Sequence, residues 1–247
     1  MGKNFNKNAY KGINYYTIKR LEEFPFLLHG FSGELDNKKG LFYEALGLVE
    51  SDIFSIKQVH SNHILCLTDR ECCSECLKHF EGDAMITDQT GFALAVRTAD
   101  CLPIILVDPK KKVVAVIHAG RRGTFLKITK KVIDELKKTF DVSPDDLLAG
   151  MGPSIKECCY EVGHDVIELI KENFVDFERY IQKKGNKYLL DIALMNKVQL
   201  LEEGVLPDNI TGVDLCTYCS DEAFHSYRKT REKTGRMLNI VMLKDDG

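Results

Sequence analysis

Three short apolar runs dominate the middle of the chain, at residues 92–97, 103–107 and 113–117. They are rich in β-branched residues and bounded by turn formers, a pattern that predicts strands. Asp108-Pro109 followed by Lys110–Lys112 predicts a hairpin turn between the last two. That turn places Val107 opposite Lys112 or Val113, and by extension His118 opposite Cys101 or Leu102. Further strands are predicted at 27–31, 53–59, 64–67 and 237–243. Helical periodicity runs through 125–140, with Phe125, Ile128, Val132, Leu136 and Phe140 on one face and Thr124 as N-cap. Helices are also predicted at 164–173 and at 192–203, the latter stopped by Gly204. The charged stretch 69–81 reads as a helix-prone surface excursion. Strands, hairpins and intervening helices together predict an α+β (mixed α/β) class. No repeat, low-complexity tract or linker interrupts the chain, so one domain over 1–247 is expected, with 1–50 an irregular entry segment.

Composition narrows the class. The 247 residues are 44% hydrophobic and 29% charged, as in a soluble globular domain, and the chain is long enough to bury a substantial core. A formal net charge of −3 gives no whole-protein attraction to nucleic acid or to acidic membranes. The absence of a long apolar run excludes a transmembrane helix, and the first twelve residues lack a signal-peptide core, so a cytoplasmic protein is expected. Nine cysteines in a reducing compartment are expected to be mostly free thiols. Cys73–Cys76 and Cys216–Cys219 have zinc-like spacing and would together make a four-thiolate site, but neither lies in a knuckle-like turn, and free thiols are the favoured reading. The adjacent Cys158 and Cys159 are assigned to packing, because a vicinal disulfide is strained.

The chemistry concentrates where predicted strands meet loops. His60, Cys101 and His118 are two imidazoles and a thiol, a donor set suited to zinc; three protein ligands leave a fourth position for water or substrate. The hairpin brings His118 to Cys101. His60 has the weakest local case, and His63 competes with it. Cys101 read alone is equally a small core residue, or a nucleophile activated by His118. After His118, Ala119-Gly120-Arg121-Arg122-Gly123-Thr124 opens the predicted helix, where glycine amides and two arginines suit a phosphate. An ordinary strand-to-helix turn with solvated arginines explains the same residues. Asp83, in Gly82-Asp83-Ala84, would orient a ligand or move a proton, or simply cap a turn. The segment from Phe224 to Arg228 offers aromatic and basic groups for a base or a phosphate, and packing explains it about as well.

Taken in order, KQVHS, GDAMITD, AVRTADCLPIILVD, AVIHAGRRGT, GPSIKECCYEVG, LCTYCSDEAFHSYR and TGR resemble the laccase-domain family, also called the polyphenol oxidase or purine nucleoside phosphorylase family. The resemblance covers residues 53–243. It implies a single-domain sandwich of mixed sheets and helices, with zinc held by His60, Cys101 and His118. It further implies processing of purine nucleosides, either phosphorolysis of adenosine, inosine, guanosine or methylthioadenosine, or deamination of adenosine. Under that resemblance Asp83 serves catalysis, and Ser32, Arg121, Arg122, Gly123 and Arg228 bind substrate or phosphate. Copper oxidation of phenols is disfavoured, since the seven histidines include no His-x-His pair. Two departures stand out. Glu34 follows Gly30-Phe31-Ser32-Gly33 where members carry arginine, and Arg121 stands where members carry tryptophan. These leave open a catalytically lapsed zinc- or nucleoside-binding module, and the Cys101–His118 pair leaves open a metal-independent cysteine hydrolase. A nucleoside and phosphate are the expected partners; monomer or homodimer is left open.

Overall fold

The computed structural model describes residues 3–68, 77 and 79–245. The chain-order strands are β1 (Phe5–Tyr10), β2 (Ile13–Ile18), β3 (Leu27–Ser32), β4 (Ile53–Phe54), β5 (Ile64–Leu67), β6 (Ala84–Thr87), β7 (Ala93–Thr98), β8 (Leu102–Asp108), β9 (Val113–Ala119), β10 (Leu148–Met151), β11 (Glu161–Val162), β12 (Ile181–Lys184), β13 (Lys187–Leu190), β14 (Ile210–Gly212) and β15 (Met237–Leu243). They form a six-stranded sheet β1-β2-β3-β15-β7-β4, a second β14-β10-β8-β9-β6-β5, and a small third β11-β13-β12. The β4–β7, β10–β14 and β5–β6 pairs are parallel and the others antiparallel, so both large sheets are mixed. The α/β sandwich expected from the sequence is the observed architecture.

The second sheet is the centre of the molecule. Ile104, Leu106, Ala115 and Ile117 face one core layer, which includes Ile128, Val132, Ile133 and Leu136 of a helix and Met195 of another. Ile105, Val107, Val114 and Val116 point the other way, against Phe31, Val96 and Val241 of the first sheet. A sheet covered on both faces needs apolar residues at every position, which is why β8 and β9 read as unbroken apolar runs. Every residue of both strands is buried.

Four expectations need correction. The hairpin pairs Val107 with Val114 and Asp108 with Val113, leaving a four-residue turn, so His118 lies opposite Pro103 rather than Cys101 or Leu102. Residues 1–50 are not irregular: β1 and β2 form a hairpin through Lys11 and Gly12, both at positive φ, β3 joins them in the first sheet, and helices α1 (Lys19–Glu22) and α2 (Lys39–Ala45) flank β3 along the chain. The strand expected at 53–59 stops at Phe54, because the chain turns toward His60 instead of continuing its ladder. The helix expected over 125–140 is two: α3 (Arg121–Phe125) and α4 (Ile128–Phe140), broken at Lys127 in the left-handed conformation. Thr124 is therefore no cap; it is buried inside α3, where its hydroxyl oxygen accepts from Asn196. Helices α5 (His164–Asn173) and α6 (Ile192–Glu202) sit where expected, the latter capped by Asp191 accepting from the Leu194 amide. The stretch 69–81, with Cys72, Cys73 and Cys76, falls mostly outside the described residues. No helix among those residues is long and apolar enough to cross a membrane.

Candidate active site

The chain passes from the first large sheet to the second twice, and each crossing carries one residue of the site. Between β4 and β5 it carries His60; between β7 and β8 it carries Cys101. His118 is the penultimate residue of β9, next to the turn into α3. The ligand atoms of these three residues all lie within 4.8 Å of one another, so they can hold a metal ion. The His60 and His118 rings stand edge to face with centroids 4.9 Å apart. His63, the competitor, is outside this group.

Asp83 organises the three. It is fully buried, and its Oδ1 accepts from the His60 amide at 3.0 Å and lies 2.7 Å from Nδ1 of His118. Its Oδ2 accepts from the Val59 amide at 3.3 Å, and from the Ser61 amide and hydroxyl at 2.5 and 2.8 Å. Burial works against ionisation of Asp83, but the His118 and Ser61 hydrogen bonds outweigh it and hold the carboxyl down at about 2. An ionised carboxylate only accepts, so Nδ1 of His118 carries the proton and Nε2 is left to face the sulfur. The same carboxylate holds His60 at φ +58, a backbone conformation that costs a non-glycine residue energy and requires support from its surroundings.

Cys101 and His118 form an electrostatic pair. Burial opposes a thiolate, yet His118 and then His60 favour it, and the thiol is pulled below its ordinary range. His118 is raised despite its own burial, chiefly by the Cys101 sulfur and Asp83. Gly120 closes the site from below. A Cβ there would stand 3.0 Å from Cδ2 of His60 and 3.1 Å from Sγ of Cys101. Gly123 is needed for packing, since its Cβ would meet the Ser61 carbonyl at 2.9 Å. The sequence reading placed Gly123 at the phosphate; it is buried against the His60 loop and does not line the cleft.

The triad opens into a cleft of about 940 Å³. Among the described residues, seven lining side chains are cationic, including Arg97, Arg121, Arg122, Arg228 and Arg231, against the one carboxylate of Asp100. That carboxylate is already engaged: Oδ1 accepts from the Thr217 hydroxyl at 2.7 Å and Oδ2 from the Arg228 amide at 2.6 Å. The cleft therefore presents unbalanced positive charge beside the triad, a field that concentrates anions. Arg228 also lies over the Tyr160 ring, 5.1 Å from its centroid, giving the wall a flat cationic surface. Of the residues expected to bind substrate, Arg121, Arg122 and Arg228 line this cleft. Ser32 does not: it is buried, its hydroxyl donates to the Gly33 carbonyl and its oxygen accepts from the Leu238 amide. Glu34 lines a neighbouring cavity of about 890 Å³, near His225. Sequence reasoning missed Tyr160 and Arg97, read Gly120 as a phosphate-binding amide rather than as the close approach to His60 and Cys101, and noted Asp100 only as the neighbour of Cys101.

Residues 34–244 match the family described as multi-copper polyphenol oxidoreductase laccase. The chain belongs to that family. It is 31% identical, over 82% of its length and 77% of the relative's, to the purine nucleoside phosphorylase of Bacteroides thetaiotaomicron. It is also 31% identical to adenosine deaminase RL5 from an unknown prokaryotic organism, over 96% of this chain and 89% of that one. The crystal structure of YlmD from Geobacillus stearothermophilus superposes with a TM-score of 0.86 at 25% identity, covering 99% of this chain and all of that one. The resemblance drawn from the motifs and the mixed α/β fold are both as these comparisons have them.

Proposed function

We propose that this chain is a zinc-dependent enzyme of purine nucleosides whose principal reaction is phosphorolysis, releasing the base and forming the sugar 1-phosphate. The observation that carries this reading is the contiguity of a His₂Cys donor set with an arginine-lined cleft large enough for a nucleoside and a phosphate. His60, Cys101 and His118 would hold the ion, with the cleft side open. Zinc bound there would supply Lewis acidity toward a group of the substrate or toward water. Zinc is favoured over a blue-copper arrangement with the same three donors, which adds a weak axial methionine, because no methionine lines the cleft among the described residues.

The chain's own groups then have separable tasks. Asp83 keeps the proton on Nδ1 of His118, fixing the ring so that Nε2 and the Cys101 sulfur converge. Arg121 and Arg122, at the start of α3, balance the charge of phosphate and hold it on the same side as the triad. Tyr160 with Arg228 offers a flat wall for a base, and the engaged carboxylate of Asp100 leaves the surrounding arginines free for an anion. Deamination of adenosine would use the same ion and wall with water in place of phosphate, as the name of the RL5 relative suggests.

A second reading rests on one geometric fact. Asp83, His118 and Cys101 stand in the carboxylate–imidazole–thiol relation of a cysteine nucleophile. Incubation with adenosine, inosine and methylthioadenosine, with and without phosphate, separates the readings by product mass. Phosphate-dependent base release that stops with a chelator and returns with zinc supports the proposal. Turnover indifferent to chelator but abolished by alkylation of Cys101 supports the hydrolase, and zinc bound without turnover supports a lapsed module.

A further inference from the structure

The sequence reading set Cys216–Cys219 against Cys73–Cys76; the fold sets it against Cys158 and Cys159. The sulfurs of Cys158, Cys159, Cys216 and Cys219 all lie within 4.8 Å of one another, and none is in a disulfide. Cys158 and Cys219 stand 3.7 Å apart. Four thiolates about 2.3 Å from a central zinc ion form a tetrahedron with edges of about 3.8 Å, so this spacing is that of ligands around an ion. It is far beyond a disulfide bond of about 2.05 Å.

We propose that these four cysteines form a second, structural zinc site, separate from the His60–Cys101–His118 triad. Cys216 carries the strongest local argument. Its side chain is buried at the start of a Cys-x-x-Cys turn, which the Ser220 amide closes on the Cys216 carbonyl at 3.1 Å. A bound dication would take up the charge of the sulfurs and displace their protons. Cys158 and Cys219 are exposed, which gives the ion its entry path.

The site has a place in the architecture. It staples the 154–160 loop to the 216–220 loop, already joined by a bridge between Ser154 and Cys216 and by the Thr217 amide on the Ser154 carbonyl. The first loop places Tyr160 on the cleft wall, and its Ile155 amide donates to the Asp100 carbonyl beside Cys101. The second supplies the Thr217 hydroxyl to the Asp100 carboxylate. An ion at the quartet would therefore fix the wall of the cleft without touching substrate.

The test uses the full chain, purified reduced, loaded with zinc or cobalt(II) and desalted. Cys101→Ala should retain about one equivalent of metal, bound through four sulfurs by X-ray absorption at about 2.3 Å. Its cobalt form should show the thiolate charge-transfer bands of a tetrathiolate centre. Cys219→Ser, an exposed position, should lose that equivalent whether or not Cys101 is present. If the triad binds no metal, wild type still holds the equivalent that Cys219→Ser removes, so the two assignments fail independently. Metal-free Cys101→Ala, ligation by nitrogen or oxygen, or a Cys158–Cys219 disulfide in the freshly isolated protein would overturn the proposal.

Discussion

Asp83→Asn is the sharpest probe of how the site is held. The substitution keeps the shape and removes the charge, and it turns one accepting oxygen into an NH₂ donor. If the donor replaces Oδ1, the His60 amide and Nδ1–H of His118 lose their acceptor; if it replaces Oδ2, the Val59 and Ser61 amides lose theirs. Either way two donors aimed at a buried carboxylate face a donor instead. Each unsatisfied group costs about 1–3 kcal/mol, so the fold should lose about 2–6 kcal/mol. That agrees with the roughly 3–5 kcal/mol expected for removing one partner of a buried ion pair. In the first orientation His118 has a further escape: it moves its proton to Nε2, and the lone pair meant for the ion is gone. Loss of an outer partner of a ligating histidine typically weakens metal binding about 10- to 100-fold. Urea unfolding gives the first quantity, and competition with a chromophoric chelator, on Cys219→Ser background to isolate the triad, gives the second. A variant with unchanged midpoint and a metal affinity within about twofold of the parent would show that Asp83 is not the organiser of the site.

Three further perturbations have defined outcomes. Gly120→Ala keeps an allowed backbone but sets a methyl about 3 Å from the His60 ring and the Cys101 sulfur; metal affinity should fall more than about tenfold with little change in unfolding midpoint, and equal losses in both would refute it. Arg121→Ala should raise KM for phosphate by roughly 10- to 100-fold, from about 1.5–3 kcal/mol of lost charged hydrogen bonding, while leaving zinc stoichiometry intact; an unchanged KM would remove it from the phosphate site. His29 is buried, its Nε2 accepts the Ile18 amide, and burial lowers it to about 4 from 6.5. Its neutral form stabilises the fold above pH 6.5, and about 3 kcal/mol should drain away between pH 6.5 and 4 as the unfolded chain alone takes up the proton. His29→Gln keeps an acceptor without titrating and should flatten that interval; identical slopes for the two proteins would sink the assignment.

What the sequence disclosed depended on how many faces of an element are buried. The β8, β9 and β15 runs were readable because both faces of their strands are covered, α5 because its periodicity matches its burial, and α6 because its apolar run stops at Gly204. The β1–β2 hairpin escaped because β1, FNKNAY, buries little beyond Phe5, so its alternation is mostly polar. Its usable signal was local: glycine at the second position of a two-residue turn. The break at Lys127 left no trace, since lysine rarely adopts a left-handed conformation unless tertiary packing imposes it. The thiol quartet was invisible for a different reason, as adjacent Cys158 and Cys159 match no ligand spacing and only the fold brings Cys216–Cys219 to them.

The contact between Cys101 and His118 shows why a correct pairing with a wrong register still misreads a site. The ladder ends at Leu102 opposite Ala119, with His118 opposite Pro103. Side chains alternate between faces, so His118 shares its face with Pro103 and with position 101, whereas pairing with Leu102 would have turned it away. Extended by one residue, the same register sets Gly120 opposite Cys101, which is where a Cβ would strike the sulfur. His118 and Cys101 are thus diagonal neighbours, a separation of about 7–8 Å between regular strands. That gap closes because the chain leaves the strand at Asp100, at φ +85, and folds Cys101 back toward the imidazole. The turn is held by Asp100's own carboxylate, gripped by Thr217 and the Arg228 amide. The geometry of the triad therefore depends on residues more than a hundred positions further along the chain, and Thr217 lies in one of the two loops that the thiol quartet joins. Loss of the ion at that quartet should reach the triad through Asp100, as weaker metal binding at Cys101 and His118.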